Sequence, residues 1–333
     1  MSAHARFRAR HLRRRPSRVA PRRGALTSLS AGALLVACGQ PLRDTGPEPL
    51  DGPGWEVQVA DTSMSFIGMW VVSERVVWVS GPRGRWGRTT DGGATWSFGV
   101  VPGAESLGFR DVHAFSEREA VLLSIGSGPA SRIYVTADGG ESWSLSFANE
   151  DPDAFFDCLS FWDRDRGLAF SDSHEGEFTL IRTDDGGATW TRIDPATVPN
   201  ARPGEGAFAS SGTCVVTRPG GLAWFATGAS GVDTRVIRTR DYGATWEETL
   251  TPIESAAPTA GIFSLAFLDD TLGVAAGGDD GRKGATFDDV ALTIDGGRTW
   301  ALGGRTGLGG AVYGVSFVPV APTRTLVAVH PAG

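Results

Sequence analysis

Six polar residues of the sequence belong to types that could bind a ligand or carry out acid–base chemistry. Carboxylates exchange protons or hold cations, arginine holds carboxylates, and tyrosine and histidine donate and accept protons. The six are Arg110, Asp111, Asp157, His174, Glu205 and Tyr313. They are far apart in the chain, so the elements that carry them decide whether they form a ligand or partner site. The alternative is that they line a channel and pair with one another and with water.

Metal and cofactor chemistry has little support in the sequence. After residue 37 the histidines are His113, His174 and His330, and none belongs to an H-x-H or H-E-x-x-H motif. The acidic stretch 279–289 lacks EF-hand spacing. No G-x-G-x-x-G opens a helix, and no G-x-S-x-G elbow has a plausible triad. We therefore predict no metal, no cofactor and no catalytic residue.

One eight-residue pattern occurs five times and is the strongest signal for the fold. Each octet runs from a threonine to a tryptophan, as in 89–96, with aspartate at its third position. The tryptophans lie 47, 47, 56 and 54 residues apart, a spacing typical of repeat architectures. The aspartates are Asp91, Asp138, Asp185, Asp241 and Asp295, and the tryptophans are Trp96, Trp143, Trp190, Trp246 and Trp300.

The octet pattern predicts a structural hairpin. Its fifth residue is always glycine, which tolerates the positive φ of a tight turn. Its aspartate can accept hydrogen bonds from the backbone of its own turn, and its tryptophan offers a large apolar surface for packing between repeats. Because a catalytic residue is not normally needed five times, we interpret the aspartates as structural.

Short strand-like runs surround every octet. Four short strands per repeat, separated by turn residues, indicate a propeller blade, and no segment after the leader has sustained helical periodicity. The sequence therefore predicts an all-β β-propeller, with a strand that closes the ring at 54–58. Five complete four-stranded blades lie at about 64–98, 108–147, 155–193, 206–250 and 261–302, and a partial sixth begins at Ala311.

The topology of such blades places the octet hairpins on one face and all the long loops on the other. Functional loops gather on one side of a rigid scaffold, so we expect the site at the channel mouth on the loop face. Aligning the innermost strands gives one column with Ile67, Arg110, Phe156, Phe263 and Tyr313. The next column holds Gly68, Asp111, Asp157, Ser264 and Gly314, with Glu205 at the start of the fourth blade and His174 on a loop.

The N-terminal segment 1–37 is predicted to be a lipoprotein signal peptide. It holds nine arginines and no acidic residue, and a short apolar run ends in Leu-Val-Ala before Cys38. This ending resembles a bacterial lipobox, in which Cys38 carries the lipid. Two alternatives stay open: an ordinary cleavage site near Cys38, and twin-arginine instead of Sec export through Arg22-Arg23. Residues 38–54 would be a flexible tether, and residues 55–333 the propeller.

The charge of the remaining chain argues against nucleic-acid binding. Without the nine arginines of the leader, 22 basic residues oppose 38 acidic ones, a net charge near −16. A surface that follows phosphates must be basic. This composition suits an extracytoplasmic domain held at a membrane by its lipid.

Two cysteines remain after the lipidation site. Cys158 and Cys214 fall in corresponding regions of the third and fourth blades, whose strands would be neighbours. An oxidising compartment permits a disulfide, and two buried free thiols are the alternative.

The octets resemble the Asp-box (BNR) repeat of sialidase-like and sortilin-like propellers. Together with the leader and the stretches 155–157, 204–208, 211–213 and 261–264, they resemble bacterial relatives of the photosystem II stability/assembly factor family. The resemblance implies a seven-bladed ring, of which this chain would lack the C-terminal part, the other possibility being six blades with an incomplete last one. It also implies a non-catalytic assembly factor that binds an envelope or membrane protein.

The alternative function is a sialidase-like glycoside hydrolase. That chemistry uses three arginines, a tyrosine/glutamate nucleophile pair and an aspartate acid/base. Of these groups only Arg110 is well placed, and Tyr313 and Glu205 would lie across the ring. The sequence therefore favours a lipid-anchored binding protein of undefined oligomeric state.

Overall fold

The computed structural model describes residues 58, 65–229, 231, 233–318 and 325–331. The predicted signal peptide, Cys38, the tether and nearly all of the closing strand lie outside the described residues. No α-helix occurs among the described residues, and the only helical turns are the 3₁₀ turns Gly128–Ala130, Pro195–Thr197 and Asp280–Arg282. Accordingly, no described helix is long and apolar enough to cross a membrane.

The described strands form five four-stranded antiparallel sheets and one two-stranded sheet, in chain order. Blade 1 holds Gly68–Val71, Val77–Ser80, Arg85–Thr89 and Ser97–Val100 (β1–β4); blade 2 holds Gly108–Ala114, Ala120–Ile125, Arg132–Thr136 and Ser144–Ala148 (β5–β8); blade 3 holds Phe156–Phe161, Gly167–His174, Glu177–Thr183 and Thr191–Arg192 (β9–β12). Blade 4 holds Val215–Arg218, Leu222–Ala226, Arg235–Thr239 and Glu247–Leu250 (β13–β16); blade 5 holds Ala260–Phe267, Gly273–Asp279, Val290–Thr293 and Ala301–Gly304 (β17–β20); the sixth sheet holds Gly314–Phe317 and Leu326–Val329 (β21–β22).

The blades confirm the predicted all-β propeller architecture and its five complete units. Within each sheet, every strand pairs with the next one along the chain, as expected for short strands joined by tight turns. The described part of the sixth unit comprises two strands. A seven-bladed ring stays a prediction.

Backbone hydrogen bonds define the two faces. In every complete blade the octet hairpin donates to the turn between the first two strands, as Gly139 does to Arg118. At the other end of each of these blades, the loop between the second and third strands bonds the connection to the next blade, as Gly128 does to Ala154. The first set forms the octet face and the second the loop face, as predicted.

All five octets form the same hydrogen-bonded hairpin. In the octet 183–190, the Thr183 hydroxyl donates to Asp185 Oδ1 over 2.8 Å and accepts from Gly187 N–H over 2.9 Å. The Thr189 N–H and hydroxyl donate to the two oxygens of Asp185, over 2.9 and 2.6 Å. The fifth-position glycine has a positive φ in all five copies, 89° at Gly187. The aspartates therefore hold the turns together, as predicted.

The tryptophans of blades 2 to 5 pack at the interfaces between blades. Trp143 of blade 2 lies 5.8 Å from Trp86 of blade 1, centroid to centroid, and 6.3 Å from Trp78. Trp246 of blade 4 packs into a cluster with Leu168 of blade 3. Large flat side chains bury the apolar surface that a single blade leaves open, so the repeats stabilise one another.

Replacing Asp185 with asparagine is expected to lower the free energy of unfolding at pH 7 by about 1 kcal/mol, because the hairpin loses charged acceptors. Hydrogen bonds from Thr189 lower the pKa of Asp185. Its stabilisation is therefore present above the unfolded pKa, near 4, and is lost as the pH falls through the lower folded pKa. Asp185→Asn should thus flatten the pH dependence of urea unfolding below about pH 4.

The matched control is Asp184→Asn in the same octet. The Asp184 side chain is 62% exposed and lies 3.5 Å from Arg182 in a surface ion pair. Surface pairs contribute little, so stability and its pH dependence should stay at wild-type values. Equal effects of the two substitutions would contradict the role of Asp185.

A disulfide joins blades 3 and 4. Cys158 on β9 is bonded to Cys214, which directly precedes β13. Both residues are fully buried. The pairing left open by the sequence is therefore present in the structure, and it covalently links two innermost strands that are 56 residues apart in the chain.

Candidate binding site at the loop face

Three innermost strands carry a β-bulge at the same level. In blade 2, Arg110 has no partner in the register between Phe109 and Asp111. In blade 3 the unpaired residue is Asp157, and in blade 5 it is Phe263. A bulge leaves one residue out of the ladder and re-aims its side chain. All three bulge residues line one cavity of about 430 Å³ on the loop face.

The bulges correct the sequence alignment of the third blade by one residue. The alignment placed Asp157 level with Asp111, whereas the structure places it level with Arg110. Cys158 takes the position of Asp111, because both side chains accept a backbone N–H from the following blade. Asp111 accepts that of Leu159, and Cys158 accepts that of Cys214.

Asp111 is therefore a structural residue and does not line the cavity. Its carboxylate accepts the Leu159 N–H and the Val112 N–H, both over 2.7 Å, and its residue is 4% exposed. Burial raises the pKa of Asp111 to about 7, although both hydrogen bonds act in the opposite direction. The group joins blade 2 to blade 3.

Residues 206–213 precede the first strand of blade 4 and contact three other blades; we call them the channel segment. Arg110 of blade 2 donates to Ala209 O over 3.0 Å, and Asp172 of blade 3 accepts the Ala207 N–H over 2.6 Å. Phe208 stacks on Phe263 of blade 5, with ring centroids 3.9 Å apart. Three different blades thus hold the segment, which lines the first cavity in a way that the sequence did not predict.

Aromatic rings form one wall of the cavity. Phe208, Phe263 and Tyr313 lie nearly parallel, the last two with centroids 5.7 Å apart and an interplanar angle of 5°. The Tyr313 hydroxyl donates to Asp280 over 2.5 Å. Burial, together with this carboxylate, raises the pKa of Tyr313 to about 12. Tyr313 therefore stays protonated at neutral pH.

Two neighbouring acidic residues, Asp157 and Asp172, also line the first cavity. Asp157 is 1% exposed, and its Oδ2 is buried without a hydrogen-bond partner. Burial raises the pKa of Asp157 well above its usual range, and the nearby Asp172 raises it further. Burial also raises the pKa of Asp172 to about 6. Like charges in a poorly solvated place disfavour each other's ionised form.

A second cavity of about 570 Å³ adjoins the first. The two share Asp172, Ala207, Phe208 and Pro258 in their linings. The sequence predicts His174 on a loop, but it is the last residue of β10; it is exposed, lines the second cavity and places its Nε2 3.6 Å from Asp153. The two cavities together form an elongated depression along the channel segment.

Glu205 lines the second cavity, but its carboxylate is hydrogen-bonded to neighbouring groups of the protein itself. Its carboxylate accepts Arg235 Nε over 2.7 Å and Arg235 Nη2 over 2.5 Å. It also accepts the Thr227 hydroxyl over 2.5 Å and the Arg202 N–H over 2.9 Å. Glu205 and Arg235 are 2% and 1% exposed. This pair is a buried structural ion pair, and it does not meet Tyr313.

Of the six residues proposed from the sequence, the structure brings Arg110, Asp157 and Tyr313 together in the first cavity. His174 and Glu205 line the adjoining one. The sequence analysis missed Asp280 as a neighbour of Tyr313, as well as the partners that the channel segment supplies. Within the described ranges no group of three or more histidine, cysteine, aspartate or glutamate residues has the geometry of a metal site.

Comparison with known proteins found similar chains among the solved structures only. No protein-family model matches the chain, and no curated protein matches it. Among solved structures, YCF48 bound to D1 peptide is 17% identical, with 77% of this chain and 87% of that chain covered and a TM-score of 0.40. YCF48 from Cyanidioschyzon merolae is 16% identical, with 78% and 92% covered and a TM-score of 0.42.

The chain is also similar to a GH74 enzyme from Niastella koreensis, at 13% identity and a TM-score of 0.51. The similarity covers 77% of this chain and 42% of that enzyme, so the chain spans less than half of its length. The class that the fold defines is an all-β propeller. At such identities the comparison establishes the fold alone, and function has to be argued from the site.

Proposed function

We propose that this chain is a non-catalytic, protein-binding β-propeller of the assembly-factor kind, which holds a partner on its loop face. The observation that carries the proposal is the elongated depression beside the channel segment, where three bulges aim their side chains into one cavity. Rigid blades that present loops and re-aimed side chains on one face are suited to recognition.

The same site gives no support to sialidase-like chemistry. Arg110 is the only cationic side chain that lines the first cavity among the described residues. The Tyr313 hydroxyl donates to Asp280, and the Glu205 carboxylate is held by Arg235. The tyrosine/glutamate pair of that chemistry does not form, because Tyr313 and Glu205 do not contact each other, and a clamp of three arginines is missing from this lining.

We further propose that a lipid on Cys38 anchors the protein on the extracytoplasmic side of a membrane. The disulfide between Cys158 and Cys214 supports export, because disulfides persist in oxidising compartments. We expect Cys38→Ser to move the protein from the membrane to the soluble extracytoplasmic fraction and to abolish metabolic labelling with palmitate. Ser30→Ala in the leader should keep both properties. Retention of Cys38→Ser in washed membranes would contradict the anchor.

Site-specific photo-crosslinking tests the partner. A photoreactive residue at position 175 replaces Glu175, which is 86% exposed beside the second cavity on the loop face. The matched position is Asp184 on the octet face, 62% exposed. We expect a discrete crosslinked protein from position 175 and none from position 184, with the product suppressed by excess unmodified propeller. Absence of a product, or equal products from both faces, would contradict loop-face binding.

A further inference from the structure

The lining of the first cavity holds more acidic than basic side chains. Three carboxylates line it, those of Asp157, Asp172 and Asp280, against the single guanidinium of Arg110. Arg110 donates one of its N–H groups to Ala209 O. Across the part of the chain that the structure describes, no ion pair within 4 Å joins Asp157 or Asp172 to any basic side chain.

Asp157 is the least satisfied group of this lining. Its Oδ2 is buried and accepts no hydrogen bond, although buried carboxylate oxygens normally have donors. The bulge in β9 keeps the residue out of the ladder and turns it towards the cavity. Leaving such a group unpaired costs folding free energy, so its presence indicates a missing donor.

The stacked rings beside the carboxylates indicate that the missing donor is a cationic group. Phe208, Phe263 and Tyr313 present aromatic surface to the same cavity. A guanidinium or ammonium group is attracted both by a carboxylate and by the face of an aromatic ring. A cavity of about 430 Å³ has room for one long basic side chain.

We propose that the first cavity binds an arginine or lysine side chain presented by the partner protein, with Asp157 and Asp172 as its acceptors and the Phe208–Phe263 stack as its flat wall. The inference rests on the proposed loop-face binding. A basic side chain supplies a donor to Asp157 Oδ2, and its positive charge favours the ionised forms of Asp157 and Asp172. The adjoining second cavity would hold the neighbouring residues of the partner chain.

The test uses blocked peptides and isothermal titration calorimetry on the lipid-free exported protein. The probes are acetyl-Gly-Arg-Gly-amide and the same peptide with citrulline, which keeps the shape of arginine and removes its charge. We expect the arginine peptide to bind at least about tenfold more tightly, the difference that a charge-assisted bidentate pair contributes. Equal affinities, or no heat from either peptide at millimolar concentration, would overturn the proposal.

Variants identify the acceptors. Asp157→Asn and Asp172→Asn should each weaken the arginine peptide about tenfold or more and leave the citrulline peptide unchanged. Asp157→Asn should fold normally because asparagine keeps the shape of a buried carboxyl group whose Oδ2 has no hydrogen-bond partner, and Asp172→Asn provides a second variant should it not. Asp184→Asn on the octet face is the matched control and should bind as the wild type does. Unchanged arginine binding in both cavity variants would overturn the assignment.

The inference and the proposed function fail separately. If the crosslink from position 175 persists undiminished in Asp157→Asn, a partner exists but does not place a basic side chain here. If the arginine peptide binds more tightly than the citrulline peptide while no protein crosslinks from position 175, the cavity binds a cationic group but the proposed protein-binding function is wrong.

Discussion

Glu205→Ala is expected to lower the free energy of unfolding by about 3–5 kcal/mol, the cost of leaving one partner of a buried ion pair uncompensated. Arg235 is 1% exposed and would lose both hydrogen bonds to the Glu205 carboxylate. Glu248 also contacts Arg235, but its side chain is 41% exposed and replaces only part of the lost interaction. The measurement is equilibrium urea unfolding followed by tryptophan fluorescence.

The control for this prediction is a carboxylate in an exposed pair. Glu177 and Arg192 lie 3.4 Å apart with side chains 50% and 52% exposed. Glu177→Ala should change stability by no more than about 0.5 kcal/mol. A loss at Glu205 as small as that at Glu177 would show that the buried pair does not support the loop face.

Trp224→Ala is expected to cost about 3–5 kcal/mol, the range for removing a large aromatic side chain from a core. Trp224 on β14 is 1% exposed and stacks on Phe267 of the next blade, with centroids 3.8 Å apart. Its indole N–H donates to Gly296 O over 2.9 Å, in the octet hairpin of blade 5. The substitution therefore removes packing and a hydrogen bond between two blades at once.

Ile294→Ala provides the matched control for Trp224. Ile294 lies in the octet hairpin of blade 5, and it is 78% exposed. Its truncation should change the free energy of unfolding by no more than about 0.5 kcal/mol. If Trp224→Ala unfolds at the wild-type urea concentration, the blades are not coupled through this contact.

The octets made the fold predictable because the hydrogen bonds that form each hairpin join residues close together in the sequence. Thr183, Asp185 and Thr189 fall within seven residues, and their hydrogen bonds close inside the hairpin that they define. The glycine requirement at Gly187 is likewise a property of a single turn. Repetition of this turn, with strand-like runs between copies, was enough to predict five blades and the assignment of the two faces.

The site was predictable only in part because its register depends on distant partners. A bulge shifts the register of a strand by one residue, and the local sequence pattern does not reveal this shift. For this reason the sequence alignment pairs Asp157 with Asp111 instead of Arg110. The sequence predicts that blade 4 begins at about residue 206, whereas its first strand begins at Val215 and is preceded by the channel segment. Its path depends on contacts with Arg110, Asp172 and Phe263, which lie up to 99 residues away in the chain.

Glu205 shows a third limit of sequence reasoning. The sequence makes this glutamate near the channel mouth a candidate for binding, but its partner Arg235 is 30 residues away, at the start of the third strand of blade 4. Nothing in the spacing of the two residues signals that they meet. Only the burial of both Glu205 and Arg235 shows that they form a structural ion pair and that the Glu205 carboxylate is not free to bind a ligand.

The three bulges also have a consequence for how this scaffold can diversify. Arg110, Asp157 and Phe263 are cationic, anionic and aromatic, yet each occupies the same place in its repeat. Because the ladder skips that place, its occupant can be exchanged while the neighbouring residues keep the sheet intact. Each of these three repeats thus contributes one position whose side chain can change, and relatives of this propeller could acquire new specificities through substitutions at these positions.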